Sequence, residues 1–521
     1  GCEAPSRPEP VPPPPSKAIV MGSAVDLYTI DPAVGFDTAI SSTLKSLYDT
    51  LFRHVGNPPE VVPWLAENYD VSDDYTRWRF MMDKEAVFHD GTPVTADAVK
   101  FSLERMLRIG KSPAGLFKGT IAPDGIKAIG EHILQIQLSK PIGFFLHLLP
   151  WLFVVNPTEV IANKGNDDAR TWLKTHEAGS GPFTIDTWKP GKLYIFKAVD
   201  DYWKGWPNPD HPDRYERRVI KNTQDRIRAI ESGLVDLVDW MPPDTQVRFK
   251  STPGIRVVDE PGLDIFTLKM NNRTGYTADL HLRRAISYAF NYEALIGVWR
   301  GRADLLQGPL PQGLDESSRD LPAYRTDMIK AKAALAQSPW PTGGFDLDYV
   351  YVAGLAEERL VGEILGLQLA GLDIQVNIIP MAWADAVAIF RVPETSPPVF
   401  PIYSSSAYPD PNNYLWAAYH SSQAGEWTNP GHYQNPVVDR LLENARTSMD
   451  AKQRSRLYRQ AQQIILDEAV NIFGVSIRDY HAFGQHITGM TYCPVMGSAT
   501  PFYSARTTKH SSGVADEVDG Q

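Results

Sequence analysis

The sequence has few cysteines, no excess of positive charge and no long uninterrupted apolar run. Its two cysteines, Cys2 and Cys493, exclude a fold held by a disulfide framework. The formal net charge of −11 argues against a nucleic-acid-binding protein, since such proteins carry a basic surface. The run PIGFFLHLLPWLFVV is interrupted by prolines and falls short of the roughly 20 apolar residues of a membrane span. We therefore expect membrane contact only through Cys2 or through a partner.

The motifs of common enzyme active sites are also missing. There is no GxxxxGK[ST] phosphate loop, no GxSxG nucleophile turn, no HExxH zinc motif and no CxxC pair. His481 and His486 lie five residues apart in a segment that alternates like a strand, so their rings do not share a face. We therefore predict no catalytic residue, no cofactor and no metal site. An extracellular hydrolase or metalloenzyme has no motif support.

The N-terminus combines a cysteine with a flexible segment. Cys2 follows Gly1 and precedes EAPSRPEPVPPPPS, a proline-rich polar tether over residues 1–17. In secreted bacterial proteins, a glycine followed by a cysteine ends a lipoprotein cleavage site, so we predict that Cys2 is lipidated. The alternative is a free thiol on an unstructured leader. Cys493, in YCPVM, is predicted to be a small buried hydrophobic residue.

The segment from Pro63 to Arg105 is the most specific pattern in the chain. TRWRFMM alternates bulky and polar residues as a half-buried strand does, and His89-Asp90-Gly91-Thr92-Pro93 is a turn. Thr95 is a suitable N-cap for the helix that follows, with Asp97 in its first turn and an apolar face that includes Val99. The pattern predicts a strand, a turn and a helix.

The wording of this segment, PWLAENYDVSDDYTRWRFMMDKEAVFHDGTPVTADAVKFSLER, resembles the family 5 extracellular solute-binding proteins of bacterial ABC importers. One departure is Lys84-Glu85-Ala86-Val87, where the family has a charged residue, glycine and valine. Further segments match in the same order, so that the resemblance covers about Ile19 to Tyr503. They are Ile30-Asp31-Pro32, Leu47 to Leu51, Gly179 to Pro207, Asn222 to Asp239, Met270 to Ile296 and Tyr433 to Ile472.

The resemblance implies an α/β protein with the two-lobed periplasmic-binding-protein fold of type II, in its large form with an extra subdomain. Mixed sheets with helices on both faces and a two-strand hinge at Gly262–Phe266 and Gly474–Arg478 are expected. The implied boundaries are a tether (1–17), lobe I (18–54, 178–262 and 479–506), an extra subdomain of lobe I (55–177), lobe II (263–478) and a disordered tail (507–521).

The implied function is capture of a small solute between the lobes and delivery to the permease subunits of an ABC importer. The protein would act as a monomer in the periplasm or at the cell surface, without binding nucleic acid, held to the membrane only by a lipid on Cys2. A ligand-sensing or regulatory protein of the same fold is the alternative. Such proteins usually add a DNA-binding or transmembrane segment, which this sequence lacks.

A polar and aromatic loop, YSSSAYPDPNNYLW, is the leading candidate for ligand contact. In peptide-binding members the loop reads W-x-x-D-x-x-[DE]-P, and its first aspartate binds the α-amino group of the ligand. Alignment on Asp410-Pro411 places Ala407 at that aspartate and Ser404 at the tryptophan. Both anchors are missing, which favours a peptide-like, modified or sugar-like ligand over ordinary free peptides. The predicted contacts in this loop are Tyr403, Ser404, Ser405, Ser406, Tyr408, Asp410 and Trp416.

Four residues outside the loop complete the predicted site. Asp26 could receive a cation of the ligand, although a solvated turn residue is the alternative interpretation. Tyr28, Phe117 and Trp383 could form aromatic walls of a cleft, although each could equally belong to a hydrophobic core.

Overall fold

A computed structural model describes residues 16–239, 241–312, 314, 318–498 and 502–511. Cys2, most of the tether and residues 512–521 lie outside these described residues, so the predictions about them stay predictions.

The helices are α1 (Thr38–Leu47), α2 (Ala96–Ile109), α3 (Phe145–Leu148), α4 (Pro157–Ala162), α5 (Thr223–Glu231), α6 (Pro243–Lys250), α7 (Leu280–Ala289), α8 (Tyr292–Val298), α9 (Met328–Leu335), α10 (Ala356–Leu369), α11 (Trp383–Ile389), α12 (Pro411–Tyr419), α13 (Pro436–Thr447) and α14 (Ala451–Asp467).

The strands vary from two to 16 residues in length. They are β1 (Ser16–Ser23), β2 (Phe52–Val55), β3 (Glu60–Pro63), β4 (Ala66–Val71), β5 (Arg77–Met82), β6 (Ile121–Ile129), β7 (Ile133–Leu138), β8 (Phe183–Lys189), β9 (Leu193–Ala198), β10 (Arg214–Val219), β11 (Leu237–Val238), β12 (Ile255–Met270), β13 (Ala303–Leu305), β14 (Phe345–Val352), β15 (Ile374–Met381), β16 (Val399–Ser404), β17 (Asn471–Gly484), β18 (Ile487–Thr488), β19 (Arg506–Thr507) and β20 (His510–Ser511).

One mixed sheet runs through both halves of the molecule. Its order is β15-β14-β16-β12-β17-β11-β1-β10-β9-β8, with β13 on β17 and β20 on β1. The long antiparallel strands β12 and β17 join the two halves. The alternation of FDLDYVYV and DIQVNIIPM on either side of the amphipathic segment AEERLVGEILGLQLAGL predicts a β-α-β unit, which is confirmed because β14 and β15 pair in parallel and α10 connects them. FTIDTWK and LYIFKAV, joined by Pro190-Gly191, predict a hairpin, and β8 and β9 form it.

The pairing of β12 with β17 is irregular where the chain passes between the halves. The register shifts between Glu260 and Asp264 and again between Phe266 and Thr267. Glycine is required on both strands, because a Cβ atom at Gly262 would collide with the carbonyl of Ile477. A Cβ at Gly474 would likewise collide with the carbonyl of Phe266. These irregularities overlap the segments predicted as the hinge.

The opening segment folds as its pattern predicts. Strand β5 alternates buried and exposed residues within a four-stranded sheet of order β4-β5-β7-β6. Helix α2 begins at its N-cap Thr95, whose side chain accepts a hydrogen bond from the Ala98 amide at 3.3 Å. It ends at Gly110, which has the left-handed conformation.

Two buried carboxylates explain why several matched segments carry the residues they do. Both oxygens of Asp31 accept hydrogen bonds from Arg105, the last residue of the opening segment, each at 2.7 Å. Asp49 accepts hydrogen bonds from side chains that are far apart in sequence. Its donors are Arg53, Trp64, Ser180, Tyr202 and Trp203. These segments therefore meet around two carboxylates that they share as hydrogen-bond acceptors in the first half of the chain.

Several predicted element boundaries were wrong. The spacing of apolar residues predicts a helix from about Ser42 to Phe52, but α1 begins four residues earlier because Asp37 caps it. The pattern from Arg283 to Gly297 predicts a single helix, but the chain forms α7 and α8, because Phe290 is extended and Asn291 caps a new helix. The first residues of the predicted tail are ordered, since β19 pairs with β18 and β20 with β1.

Candidate ligand-binding cleft

A cavity of about 560 Å³ lies between two parts of the chain that are distant in sequence. We call its two sides the first wall and the second wall. The first wall consists of Val25, Phe36, Asp37, Thr38, Ala39, Leu116 and Met496. The second wall consists of Ile265, Lys269, Pro309, Tyr403, Ser404, Ser405, Ala407, Tyr408, Asn413, Tyr414, Ala417, Ala418, Tyr419, Trp427 and Thr428. Aromatic rings and hydroxyl groups from different elements therefore face one space, as in small-molecule sites.

The loop between β16 and α12 is held in shape by its own polar groups. The buried hydroxyl of Ser406 donates to the Tyr408 carbonyl at 2.9 Å. Asn413 accepts from the Ala407 amide at 3.2 Å and donates to the Ser405 carbonyl at 3.1 Å. These bonds leave the side chains of Ser404 and Ser405 at the cavity.

Asp410 supports the loop from behind rather than lining the cavity. Its side chain caps α12 by accepting from the Asn412 amide at 2.9 Å. Its other oxygen accepts from the Arg454 guanidinium at 2.6 Å. Both side chains are largely buried, so this ion pair fixes the start of α12 against α14.

Beside the cavity, two residues of the second wall contact aromatic side chains from the first half of the chain. Trp151 donates its indole N–H to the carbonyl of Ala407 at 2.6 Å. The ring of Phe144 stacks on that of Tyr408, with centroids 5.1 Å apart. Residues predicted for the extra subdomain therefore contact the loop of the second wall directly.

The cavity lining carries one charge on each wall. Asp37, on the first wall, accepts a hydrogen bond from the Ile40 amide at 2.9 Å as the cap of α1. Lys269, on the second wall, is only 4% exposed. Burial lowers the pKa of Lys269 to about 7. A ligand in this cavity would contact an acidic group on one side and a basic group on the other.

The structure places the predicted site residues in three kinds of position. Tyr403, Ser404, Ser405 and Tyr408 line the cavity together. Ser406, Asp410 and Trp416 lie behind or beside it, and the Trp416 ring stacks on His420 with centroids 3.8 Å apart. Trp416 and Tyr408 also line a neighbouring cavity of about 990 Å³.

The residues predicted outside the loop are more scattered. Asp26 accepts a hydrogen bond from the Gly191 amide at 3.1 Å and another from the Tyr194 hydroxyl, so it stabilises the hairpin of β8 and β9. Tyr28 is 58% exposed, and its hydroxyl bonds to Asp37; partial desolvation and Asp37 raise the pKa of this hydroxyl. Phe117 is fully buried in the core, and the ring of Trp383 lies beside that of Trp427 in the lining, with centroids 6.1 Å apart.

The two histidines considered as a metal pair have separate surroundings. His486 lies 3.0 Å from a carboxylate oxygen of Asp236, whereas the ring of His481 is next to those of Phe483 and Tyr492. Among the described residues there is no group of three or more side chains that could hold a metal ion. Within the same ranges, no helix is both long and apolar enough to cross a bilayer.

Phe36, Asp37, Lys269, Tyr419 and Trp427 are among the residues of the lining that the sequence did not predict. Lys269 had a detectable signal, because it is the lone basic residue in DIFTLKM, a strand otherwise rich in apolar side chains. Phe36 and Asp37 follow a matched motif but have no distinctive spacing. Tyr419 and Trp427 lie beyond the end of the loop that was considered.

The fold is that of the two-lobed periplasmic binding proteins. The structure of a periplasmic binding protein DppA from Helicobacter pylori, in complex with the peptide STSA, matches with a TM-score of 0.80 at 24% identity, covering 94% of this chain and 98% of that one. The substrate-binding protein CtaP from Listeria monocytogenes matches with a TM-score of 0.84 at 20% identity, covering 95% and 100% of the chains. The predicted fold class is confirmed.

Sequence comparison identifies the family. The model of bacterial extracellular solute-binding proteins, family 5, matches residues 60–426, and the chain belongs to this family. The probable D,D-dipeptide-binding periplasmic protein DdpA of Escherichia coli is 29% identical over 496 residues, 92% of this chain and 93% of that protein. The protein is a substrate-binding component of an ABC importer, which confirms the predicted transport role.

Proposed function

We propose that the protein binds a small peptide-like solute with charged ends in the cavity between the two walls. The observation that carries this proposal is the lining itself: Asp37 and Lys269 provide opposite charges on opposite walls, and rings such as Tyr403 and Trp427 lie in the same lining. Aromatic faces suit the apolar parts of such a ligand, and serine hydroxyls can bond to its amides. The volume suits a short ligand.

The ligands named for similar proteins support this class. They include a D,D-dipeptide for the Escherichia coli relative, glutathione for a relative from Shigella flexneri and the peptide STSA for the Helicobacter pylori structure. A related structure holds agropinic acid. Modified compounds of the opine type therefore belong among the candidates beside simple peptides.

The loop offers no acidic group to an α-amino end. Ala407 occupies the aspartate position and lines the cavity with its methyl group. Asp37, on the opposite wall, is the carboxylate of the lining that can receive an ammonium group. A ligand with a modified or differently placed amine therefore fits this site better than an ordinary free peptide.

The same proposal includes cellular context and motion. The protein acts in the periplasm or at the cell surface as a monomer without enzymatic activity, and a lipid on Cys2 anchors it. The lobes, with boundaries as given above, rotate about the segments Gly262–Phe266 and Gly474–Arg478. Hinge closure of this kind is a recognised switch of periplasmic binding proteins. The two register shifts in the pairing of β12 with β17 support these segments as the hinge.

A thermal-shift screen with peptides, peptide amides, opine-like conjugates, oligosaccharides and metal chelates tests the ligand class. A ligand that binds only the native state adds about 2.7 kcal/mol to the free energy of unfolding at a hundredfold excess over Kd. We expect the melting temperature to rise with a compound of the peptide-like or opine-like class. A shift with oligosaccharides alone would contradict the proposal, and turnover of a screened compound would contradict the absence of enzymatic activity.

A matched pair of variants locates the binding. Ala418 lines the cavity, so Ala418→Trp fills it and should abolish the shift. Ala336 is exposed after α9, so Ala336→Trp should leave the shift intact. Equal shifts in both variants would place the ligand elsewhere.

A further inference from the structure

Lys269 occupies an unusual position for a lysine. It lies near the end of β12, paired with Phe400 on β16 and with Asn471 on β17, in the interior of the main sheet. Its side chain is almost completely buried, yet it is part of the cavity lining. The space next to it is therefore the cavity rather than bulk solvent or packed core.

The partners of this lysine among the described residues are neutral. Its ammonium nitrogen lies 4.9 Å from the ring centroid of Tyr419. In the orientation of the Asn471 amide that satisfies its neighbours, the amide oxygen accepts from Lys269 at 3.2 Å and from the Tyr419 hydroxyl at 2.9 Å. No ion pair joins Lys269 to a carboxylate in the described ranges of the chain. A buried charge without a counter-charge is costly, so the lowered pKa agrees with the geometry.

We infer that Lys269 anchors a carboxylate group of the ligand through a charge-assisted hydrogen bond across the cavity. This inference rests on the proposed function and specifies one end of the ligand. An anion of the ligand would supply the counter-charge that the chain itself does not place beside Lys269.

The lining favours a monoanionic carboxylate over a phosphate group. Lys269 is the basic residue of the lining, and a single ammonium supplies one positive charge. The carboxylate of Asp37 lines the opposite wall, where it would repel a dianion. A ligand with a carboxylate near Lys269 and a cationic or neutral group near Asp37 matches both walls.

The first test compares dipeptides with their C-terminal amides by isothermal titration calorimetry. The probes are L-Ala-L-Ala, D-Ala-D-Ala and the amide of each, measured on the wild type, Lys269→Met, Lys269→Arg and Lys332→Met. Lys332 is an exposed lysine of α9 and serves as the matched control. The wild type and Lys332→Met should bind a free acid about 10- to 100-fold more tightly than its amide. Lys269→Met should lose that preference, and Lys269→Arg should retain part of it.

Two results would overturn the inference while leaving the proposed function intact. One is equal binding of acid and amide by the wild type. The other is equal weakening of both by Lys269→Met, which would indicate a general structural role for the lysine. If no probe binds to the wild type, a second measurement tests whether Lys269 binds a carboxylate group.

That second measurement needs no cognate ligand. Lysines are acylated with acetic anhydride in buffers containing acetate or phosphate at equal ionic strength, and modification is quantified by mass spectrometry. Acetate should slow acylation of Lys269 relative to Lys332, and phosphate should protect it less. Absent protection, or stronger protection by phosphate, would overturn the inference. Protection by acetate without binding of any dipeptide would retain the inference and refute the dipeptide ligand.

Discussion

Each wall of the cavity is supported by a buried ion pair, but the two walls present different side chains to the cavity. Behind the first wall, Asp31 pairs with Arg105 in a fully buried ion pair, and behind the second wall Asp410 pairs with Arg454. The second wall additionally presents Lys269, a buried charge without an ionic partner in the described part of the chain. Paired charges hold the shape of the walls, whereas an unpaired charge at the cavity is available to a ligand.

Breaking the Asp31–Arg105 ion pair behind the first wall should have the largest effect on the free energy of unfolding. Asp31→Asn leaves the Arg105 guanidinium buried without its counter-charge, so we expect a loss of about 3–5 kcal/mol in the free energy of unfolding. Chemical denaturation measures it. Glu104→Gln on the same helix removes an exposed contact with Lys100, and it should cost less than about 1 kcal/mol. Similar losses in both variants would contradict the scaffolding role of Asp31.

Breaking the Asp410–Arg454 ion pair behind the second wall should lower the free energy of unfolding somewhat less, and it should also weaken ligand binding. Asp410→Asn weakens the contact with Arg454, which is slightly more exposed than Arg105, and the cap of α12, so we expect a loss of about 2–3 kcal/mol in the free energy of unfolding. Because the loop with Tyr403 and Ser405 rests on that helix start, affinity for the ligand found in the screen should also fall. Calorimetry at a temperature where the variant is folded measures this. Unchanged affinity would show that the loop keeps its shape without the pair.

Removing the unpaired charge should change how stability depends on pH. The pKa of Lys269 is about 7 in the folded protein against 10.5 as its ordinary value. Between these values the unfolded chain binds more protons, so Lys269 makes stability rise with pH by up to about 1.4 kcal/mol per pH unit. Lys269→Met should therefore be more stable than the wild type at pH 7, with an advantage that shrinks towards pH 10.

Urea unfolding across that range gives the comparison. Burial also lowers the pKa of Lys45 to about 7. Lys45 donates to the carbonyl of Met496 at 2.9 Å, and both proteins keep it, so its contribution cancels in the difference. Parallel stability curves for the wild type and Lys269→Met would show that Lys269 is not desolvated in solution.

Restoring the missing acidic group should have the smallest effect. Ala407→Asp places a carboxylate at the cavity, at the position that alignment on Asp410-Pro411 gives to the aspartate of the loop motif. It should improve the affinity for dipeptides with a free α-amino group by about tenfold, near 1.4 kcal/mol. Ala407→Asn is the control of matched size and should give no such gain. Titration calorimetry of both variants with a dipeptide and its N-acetylated form shows whether the gain in affinity depends on the free α-amino group.

Local pattern was enough to predict much of the scaffold. The strand, turn and helix of the opening segment were correct because residues close in sequence encode them: the alternation in β5, the cap Thr95 and Gly110. The division of 283–297 into two helices was missed, because Asn291 caps within a continuous amphipathic pattern. Element type follows local signals more reliably than element ends.

The candidate site was predicted only in part. The loop was found because its composition is unusual, and four of its seven named residues line the cavity. Phe117 and Trp383 were predicted as aromatic residues in a loop and at the start of a helix. The sequence does not distinguish an aromatic residue that packs in the core from one that faces a cleft. Asp26 was predicted and Asp37 was not, although both are acidic residues between β1 and α1. Only their tertiary neighbours separate them.

By itself, the sequence determined the family, the two-lobed fold and the transport role, since long matched segments and local periodicity carry that information. The tertiary structure decided which side chains share the cavity, because Asp37, Lys269 and Trp427 are brought together only by packing of elements far apart in the chain. It also decided the chemistry of Lys269. A lysine has an ordinary pKa until burial without a counter-charge lowers it, and burial is a property of the fold.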